Sequence, residues 1–280
     1  GLAIVATDTS ARAPDSPGRE TKTVTQAQNE RSETRPETPT LRVPIHGTVN
    51  VPFDGNFFSW ALLDEEGRIS GSENLAETTW VGSIVKAWVV ADFLRYTTEQ
   101  GRKPTEAQLA RASKAIRNSD DQSTNALYQA AGRTDQLHRM ILICGLTDTT
   151  IEGNRWRSVR MSARDAVRLG RCIADGRAAG PEWTEWVRTE MSLVRGTLDP
   201  ADQPFGGRWG IIDGLPAEHQ ESLGIINGWI TVEKEWQVNC LAVTDEWSLS
   251  VLTRYPAEQG LRYGAELCRA VTAQLVVAAS

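Results

Sequence analysis

Apolar and polar residues follow four different patterns along this chain. Between residues 9 and 40, Thr, Pro, Glu, Arg and Ser dominate, and Val24 is the only large aliphatic residue. Such a segment cannot bury enough surface to offset its chain entropy, so residues 1–40 are expected to form a disordered tether. A dense apolar run over 57–63 then meets the polar step Asp64-Glu65-Glu66-Gly67 and the short segment 68–71, the signature of a hairpin. Residues 81–96 are apolar on nearly every face and free of Pro, which predicts a helix buried on most sides, with Lys86 out of place inside it. Helical periodicity follows in pieces at 106–118, 124–131, 134–144 and 162–174. The pattern changes again at Gly224, where runs at 224–232, 237–243 and 247–253 are separated by short polar turns and read as three strands of a meander. A final amphipathic stretch, 261–277, predicts a helix covering one face of that sheet.

Strands at both ends with helices between them predict an α+β fold: an antiparallel sheet flanked by helices, with an inserted all-helical subdomain. The expected folded domain is 41–280, with 41–78 and 211–280 forming the sheet part and 79–210 the helical part. A cleft between the two is the natural site.

Composition narrows the functions. With 280 residues and a net charge of −6, the chain has ample core material and no basic surface for neutralising phosphates, so nucleic-acid binding is not expected. No stretch reaches the roughly 20 apolar residues that span a bilayer. Cys144, Cys172, Cys240 and Cys268 show no metal-ligand spacing and sit in apolar segments, which leaves disulfides and buried thiols both open; signs of export favour bridges. His46, His138 and His219 fit no triad or metal pattern, and no cofactor or metal is expected. Most of the ten tryptophans belong to the core by expectation, with Trp209 and Trp229 placed near the cleft.

The candidate chemistry starts at Ser83-Ile84-Val85-Lys86. Three residues apart at the start of a helix, the two polar side chains project from one face. A lysine serves as base for a serine only when desolvation or a nearby cation lowers its pKa, and an apolar helix provides the first condition. Ser119-Asp120-Asp121 follows a helical stretch and by itself is a capping turn. In combination with Ile226-Asn227-Gly228 on a late strand, these motifs give the chain a likeness, over about 57–275, to the serine penicillin-recognising family. That family comprises class A β-lactamases and low-molecular-weight penicillin-binding proteins. The flanks, including Arg160-Met161-Ser162-Ala163-Arg164-Asp165, look most like actinobacterial envelope proteins of this kind.

The resemblance implies a five-stranded sheet, Ser83 as acylated nucleophile, Lys86 as its base and Ser119 as proton relay. It also implies an oxyanion hole from the Ser83 and Trp229 N–H groups. Asp121, Ile226, Asn227, Gly228 and Trp229 become candidates for the substrate-binding cleft. Three departures weaken catalysis. The interval between the first two motifs is short, and Glu152-Gly153-Asn154 has the wrong spacing for a deacylating Glu-x-x-x-Asn loop. Ile226 stands where the family has Lys. Asp121 in place of Asn favours the ammonium form of Lys86, and Ile226 supplies no cation to oppose it. Arg254 and Lys234 are candidate replacements, although both read first as solvated strand-end charges.

The sequence therefore predicts weak or absent β-lactam hydrolysis and the binding of a peptidoglycan fragment or other envelope small molecule. The alternative is an active serine amidase or esterase using Ser83, Lys86 and Ser119. An exported monomer is expected, held to the outer face of the plasma membrane only through a lipid anchor upstream of Gly1.

Overall fold

A computed structural model describes residues 41–42, 47–202, 206–275 and 277–278. The tether expected over residues 1–40 falls outside them. In chain order the strands and helices are β1 (Leu41–Arg42), β2 (Phe57–Leu63), β3 (Ile69–Gly71), β4 (Thr78–Trp80), α1 (Val85–Glu99), α2 (Glu106–Arg117), α3 (Asp121–Ala130), α4 (Thr134–Cys144), β5 (Thr150–Ile151), β6 (Val159–Ser162), α5 (Ala163–Ala174), α6 (Thr184–Ser192), β7 (Gly224–Val232), β8 (Glu235–Val243), β9 (Ser248–Pro256), α7 (Gly260–Leu275) and β10 (Val277–Ala278).

The fold is α+β. Its main sheet is antiparallel and five-stranded, in the order β3-β2-β9-β8-β7. The hairpin and the meander read from the apolar runs join here through β2 and β9, with Phe57 opposite Arg254 and Leu63 opposite Ser248. Helices cover both faces, which is why β2 and β9 are almost continuously buried instead of alternating. Helix α7 lies on β8 and β9 and buries Gly264, Leu267, Cys268, Val271 and Leu275, a single stripe at helical spacing. Its close approach depends on Gly264, where a Cβ would lie 2.6 Å from Val238 Cβ. Glu233 and Lys234 both have positive φ (48° and 69°) and form the two-residue turn that joins β7 to β8, matching the right-handed twist of the strands.

On the helical side, α1 runs through the core, with Trp88 and Phe93 buried. Two hydrogen bonds fix it to α4: Trp88 Nε1 donates to Gln136 O (2.8 Å), and Gln136 Nε2 donates to Val89 O (2.9 Å). The fully buried carboxylate of Asp92 is neutralised by Arg95 and Arg139.

The structure adds elements absent from the hydrophobic pattern. A three-stranded sheet, β4-β6-β5, has strands of only two to four residues, too short for an alternation to register. Helix α6 has nine residues and mixes charge with its apolar positions. Helix α3 begins at Asp121, three residues before the expected start, because the Asp120 side chain caps it by accepting from Ser123 N (2.7 Å).

All four cysteines are bridged, Cys144 to Cys172 and Cys240 to Cys268. The first bridge ties the end of α4 to α5, and the second ties β8 to α7. No described helix is long and apolar enough to cross a membrane.

Candidate functional site

Residues Gly82–Ile84 form a single 3-10 turn that leads into α1 and carries Ser83. The β7 backbone presses against this turn. A Cβ on Gly228 would lie 2.5 Å from Val81 O and 3.0 Å from Ser83 N, so only glycine permits the approach. The Ser83 amide and the Gly228-Trp229 backbone are thereby brought together, as an oxyanion hole from those residues requires.

One turn into the helix, Lys86 is 1% exposed and its Nζ has three acceptors. They are Ser119 O, Ser119 Oγ (2.8 Å) and Asp121 Oδ1 (2.7 Å). An ammonium has three N–H donors, so this set saturates it. Ser83 Oγ is not among the partners and makes no hydrogen bond to a described residue. Burial pushes the Lys86 pKa below the ordinary lysine value. The hydrogen bond to Asp121 and the charges of Asp121 and Asp120 oppose that shift, while Arg157 adds to it.

Ser119 adopts a left-handed conformation (φ 51°) between α2 and α3, a strained position for a residue with a Cβ. Lys86 holds both its carbonyl and its hydroxyl there. Asp121 is half exposed and bridges two cations, since Arg157 Nη2 donates to its Oδ2 at 3.1 Å. The Arg157 guanidinium stacks over the Trp156 ring at 4.8 Å, and Lys86 Nζ lies 5.1 Å from the same ring. Trp156 Nε1 donates to Asn125 Oδ1 (2.7 Å), which fixes the ring in place.

These groups line a cavity of about 540 Å³. Of the residues singled out from sequence, Ser83, Lys86, Ser119, Asp121, Gly228 and Trp229 all reach it. Ile226 and Asn227 do not line it. Ile226 is 2% exposed within the core, and Asn227 Nδ2 donates to Gly207 O (2.9 Å) and Trp209 O (2.8 Å). Asn227 therefore pins the 207–209 segment to β7. Trp209 packs edge-on against Trp229, with centroids 5.4 Å apart, behind the cavity wall. Arg254 pairs with Glu235 (3.5 Å) and Lys234 sits in the β7-β8 turn, so neither supplies a cation to the cavity.

That cation is Arg157, which the sequence reasoning passed over. The available signal was Trp156 between Arg155 and Arg157 in an otherwise polar stretch. Glu152 also lines the cavity and pairs with Arg160 at 3.7 Å. Gln237 and Asn239 of β8 form part of its lining too. His138 and His219 stand away from it, and His46 lies outside the described residues. Among the described residues, no cluster of His, Cys, Asp or Glu is arranged to hold a metal.

No family model matches the sequence, and no curated protein matches it. Solved structures do match its fold. A β-lactamase from Chitinophaga pinensis superposes with a TM-score of 0.63 at 13% identity, covering 77% of this chain and 91% of that one. A β-lactamase from Sphaerobacter thermophilus gives 0.60 at 14% identity, covering 77% and 88%. The structure of PBP-A gives 0.58 at 14% identity, with the same two coverages. The chain thus has the fold of class A β-lactamases and penicillin-binding proteins, at an identity that speaks for the fold alone.

Proposed function

We propose that this chain is an exported envelope protein that binds a cell-wall or other envelope ligand in the Ser83 cleft and hydrolyses β-lactams weakly or not at all. The observation that carries the reading is the saturation of Lys86. Its three donors are spent on Ser119 O, Ser119 Oγ and Asp121 Oδ1, and none is directed at Ser83. For Ser83 Oγ to attack a carbonyl carbon, its proton must pass to a base with a free lone pair. An ammonium clamped by a carboxylate offers none. The two disulfides support an oxidising compartment, and the polar composition of residues 1–40 supports a hydrophilic tether ahead of the folded domain.

A second reading, a serine amidase or esterase active on a substrate other than a β-lactam, has one specific observation in its favour. Burial and Arg157 both lower the Lys86 pKa, so displacing Asp121 towards Arg157 would free a competent base. In that case the Ser83 proton moves to Lys86 Nζ as Oγ bonds the carbonyl carbon. Lys86 then returns a proton through Ser119 to the leaving nitrogen or oxygen as its bond to the acyl carbon breaks.

Intact-protein mass spectrometry after incubation with a fluorescent penicillin and, separately, with a fluorophosphonate distinguishes the two. The binding reading expects no stoichiometric adduct with either. Rapid labelling that disappears in Ser83→Ala would establish the enzyme.

A further inference from the structure

Large apolar side chains are rarely left in water, and the described residues leave five: Trp80, Leu142, Leu193, Ile230 and Val232. Three of them, Trp80, Ile230 and Val232, line the cavity that contains Ser83. Leu142 and Leu193 do not. Ile230, 53% exposed, and Val232 project from the same face of β7 as Gly228, since side chains two apart share a face. Their cross-strand partners on β8 fall on that face as well, with Ile230 opposite Gln237 and Gly228 opposite Asn239. Asn239 Nδ2 donates to Trp80 O (3.1 Å), which holds the β4 end against the sheet. Arg160 covers one side of the Trp80 ring at 4.8 Å. An apolar trough therefore leads away from the Ser83 turn along β7.

Gln237 gives the trough a polar handle. It is 4% exposed and lines the cavity, yet its side-chain amide has no hydrogen-bond partner among the described residues. Its amide atoms keep contact with solvent, unlike the buried unpaired Oδ1 atoms of Asn118 and Asn239 in the same lining, so the amide faces the cavity and is able to pair with a ligand group. An amide donates and accepts equally well and is suited to a neutral carbonyl or N–H. The charges around the cavity agree. Its lining has two cations, Lys86 and Arg157, both in contact with Asp121, and a second carboxylate, Glu152, so the formal charges of the lining cancel.

From these observations we infer that the cleft takes an uncharged acyl compound. Its apolar acyl chain lies between Trp80, Ile230 and Val232, and its neutral amide or ester group meets Gln237. The inference rests on the proposed binding at Ser83 and specifies the ligand class.

The test is isothermal titration calorimetry of the full chain carrying Ser83→Ala, so that binding is scored whether or not Ser83 reacts. The probes are N-octanoylglycinamide, N-acetylglycinamide and N-octanoylglycine. The octanoyl amide should bind at least tenfold more tightly than the acetyl amide, and more tightly than the octanoyl carboxylate. Adding Ile230→Ser with Val232→Ser should weaken the octanoyl amide by about tenfold, roughly 1.4 kcal/mol. Both positions are exposed, so the fold should tolerate the change, and circular dichroism checks it. Gln237→Leu should weaken both amides and leave chain-length preference intact. The inference is overturned if no probe binds, if chain length has no effect, if the carboxylate binds best, or if the double substitution changes nothing. An adduct at Ser83 in the separate labelling experiment would instead overturn the binding reading and leave this one standing.

Discussion

Asp121→Asn should convert a silent serine into a slowly reactive one. The carboxylate of Asp121 lies 2.7 Å from Lys86 Nζ, and its hydrogen bond and charge are the leading influences holding the proton on that amine. Two unit charges about 4 Å apart attract by roughly 4 kcal/mol at an effective dielectric of ~20. Asp121 is 55% exposed, so solvent screening reduces that to about 1–2 kcal/mol. About 1.4 kcal/mol is a factor of ten in the ammonium–amine equilibrium, so the substitution lowers the Lys86 pKa further and favours the neutral amine by roughly that factor. The neutral fraction of Lys86 near pH 7 then rises about tenfold. Asn keeps an oxygen able to accept from Lys86, so the local packing survives. The assay is the second-order rate of labelling by a fluorophosphonate, read by intact mass across pH. The expected result is about a tenfold faster rate in Asp121→Asn, with the rising limb of the pH profile moved to lower pH. An unchanged or slower rate in a folded variant would refute the assignment of Asp121 as the group that restrains Lys86.

Other consequences can be read from stability and geometry. Because burial lowers the Lys86 pKa, the unfolded chain binds this proton more tightly than the folded one, and the ammonium costs stability below the folded pKa. That cost fades as pH rises through the folded value towards the ordinary lysine value. The Tm of the unmodified chain relative to Lys86→Met should therefore rise between pH 7 and pH 10; a difference independent of pH would count against it. Gly228→Ala places a Cβ 2.5 Å from Val81 O, so it should destabilise the fold by about 1–3 kcal/mol in urea melts and disturb the Ser83 turn; a neutral effect would contradict the close approach. Each disulfide closes a loop with a sequence separation of 28, which in the chain-entropy account is worth roughly 3–4 kcal/mol. Replacing Cys240 and Cys268 by Ala should show a loss approaching that in denaturant titration, whereas no loss would mean the bridge does not form.

The parts of the fold visible in the sequence were those whose hydrophobic pattern is long. The 81–96 run and the three late apolar runs became α1, β7, β8 and β9 because each buries a continuous face. Strands β4, β5 and β6 were not visible, since two to four residues hold too few alternations to set a period. At the site, Ser83, Lys86, Ser119 and Asp121 were found by their motif spacing, and the structure gathers them around one cavity. Arg157 lies far along the chain from Ser83 and Ser119 and reaches Asp121 only through the folding of the 152–158 loop, so its one local mark is the neighbouring Trp156. Ile226 was weighed as a cleft residue because of its motif position. Its side chain belongs to the core, where an apolar residue on a strand covered on both faces is expected to go. Its effect on the site is the cation it fails to supply.

The central claim is that Lys86 is a clamped ammonium with no lone pair for Ser83. Nitrogen-15 NMR of the Lys86 Nζ, assigned by comparison with Lys86→Met, tests it directly. At pH 7 the account predicts an ammonium shift with slowly exchanging protons, and coupling from Nζ to the Asp121 carboxylate that is lost in Asp121→Asn. A neutral amine shift at pH 7 in the unmodified chain would contradict it.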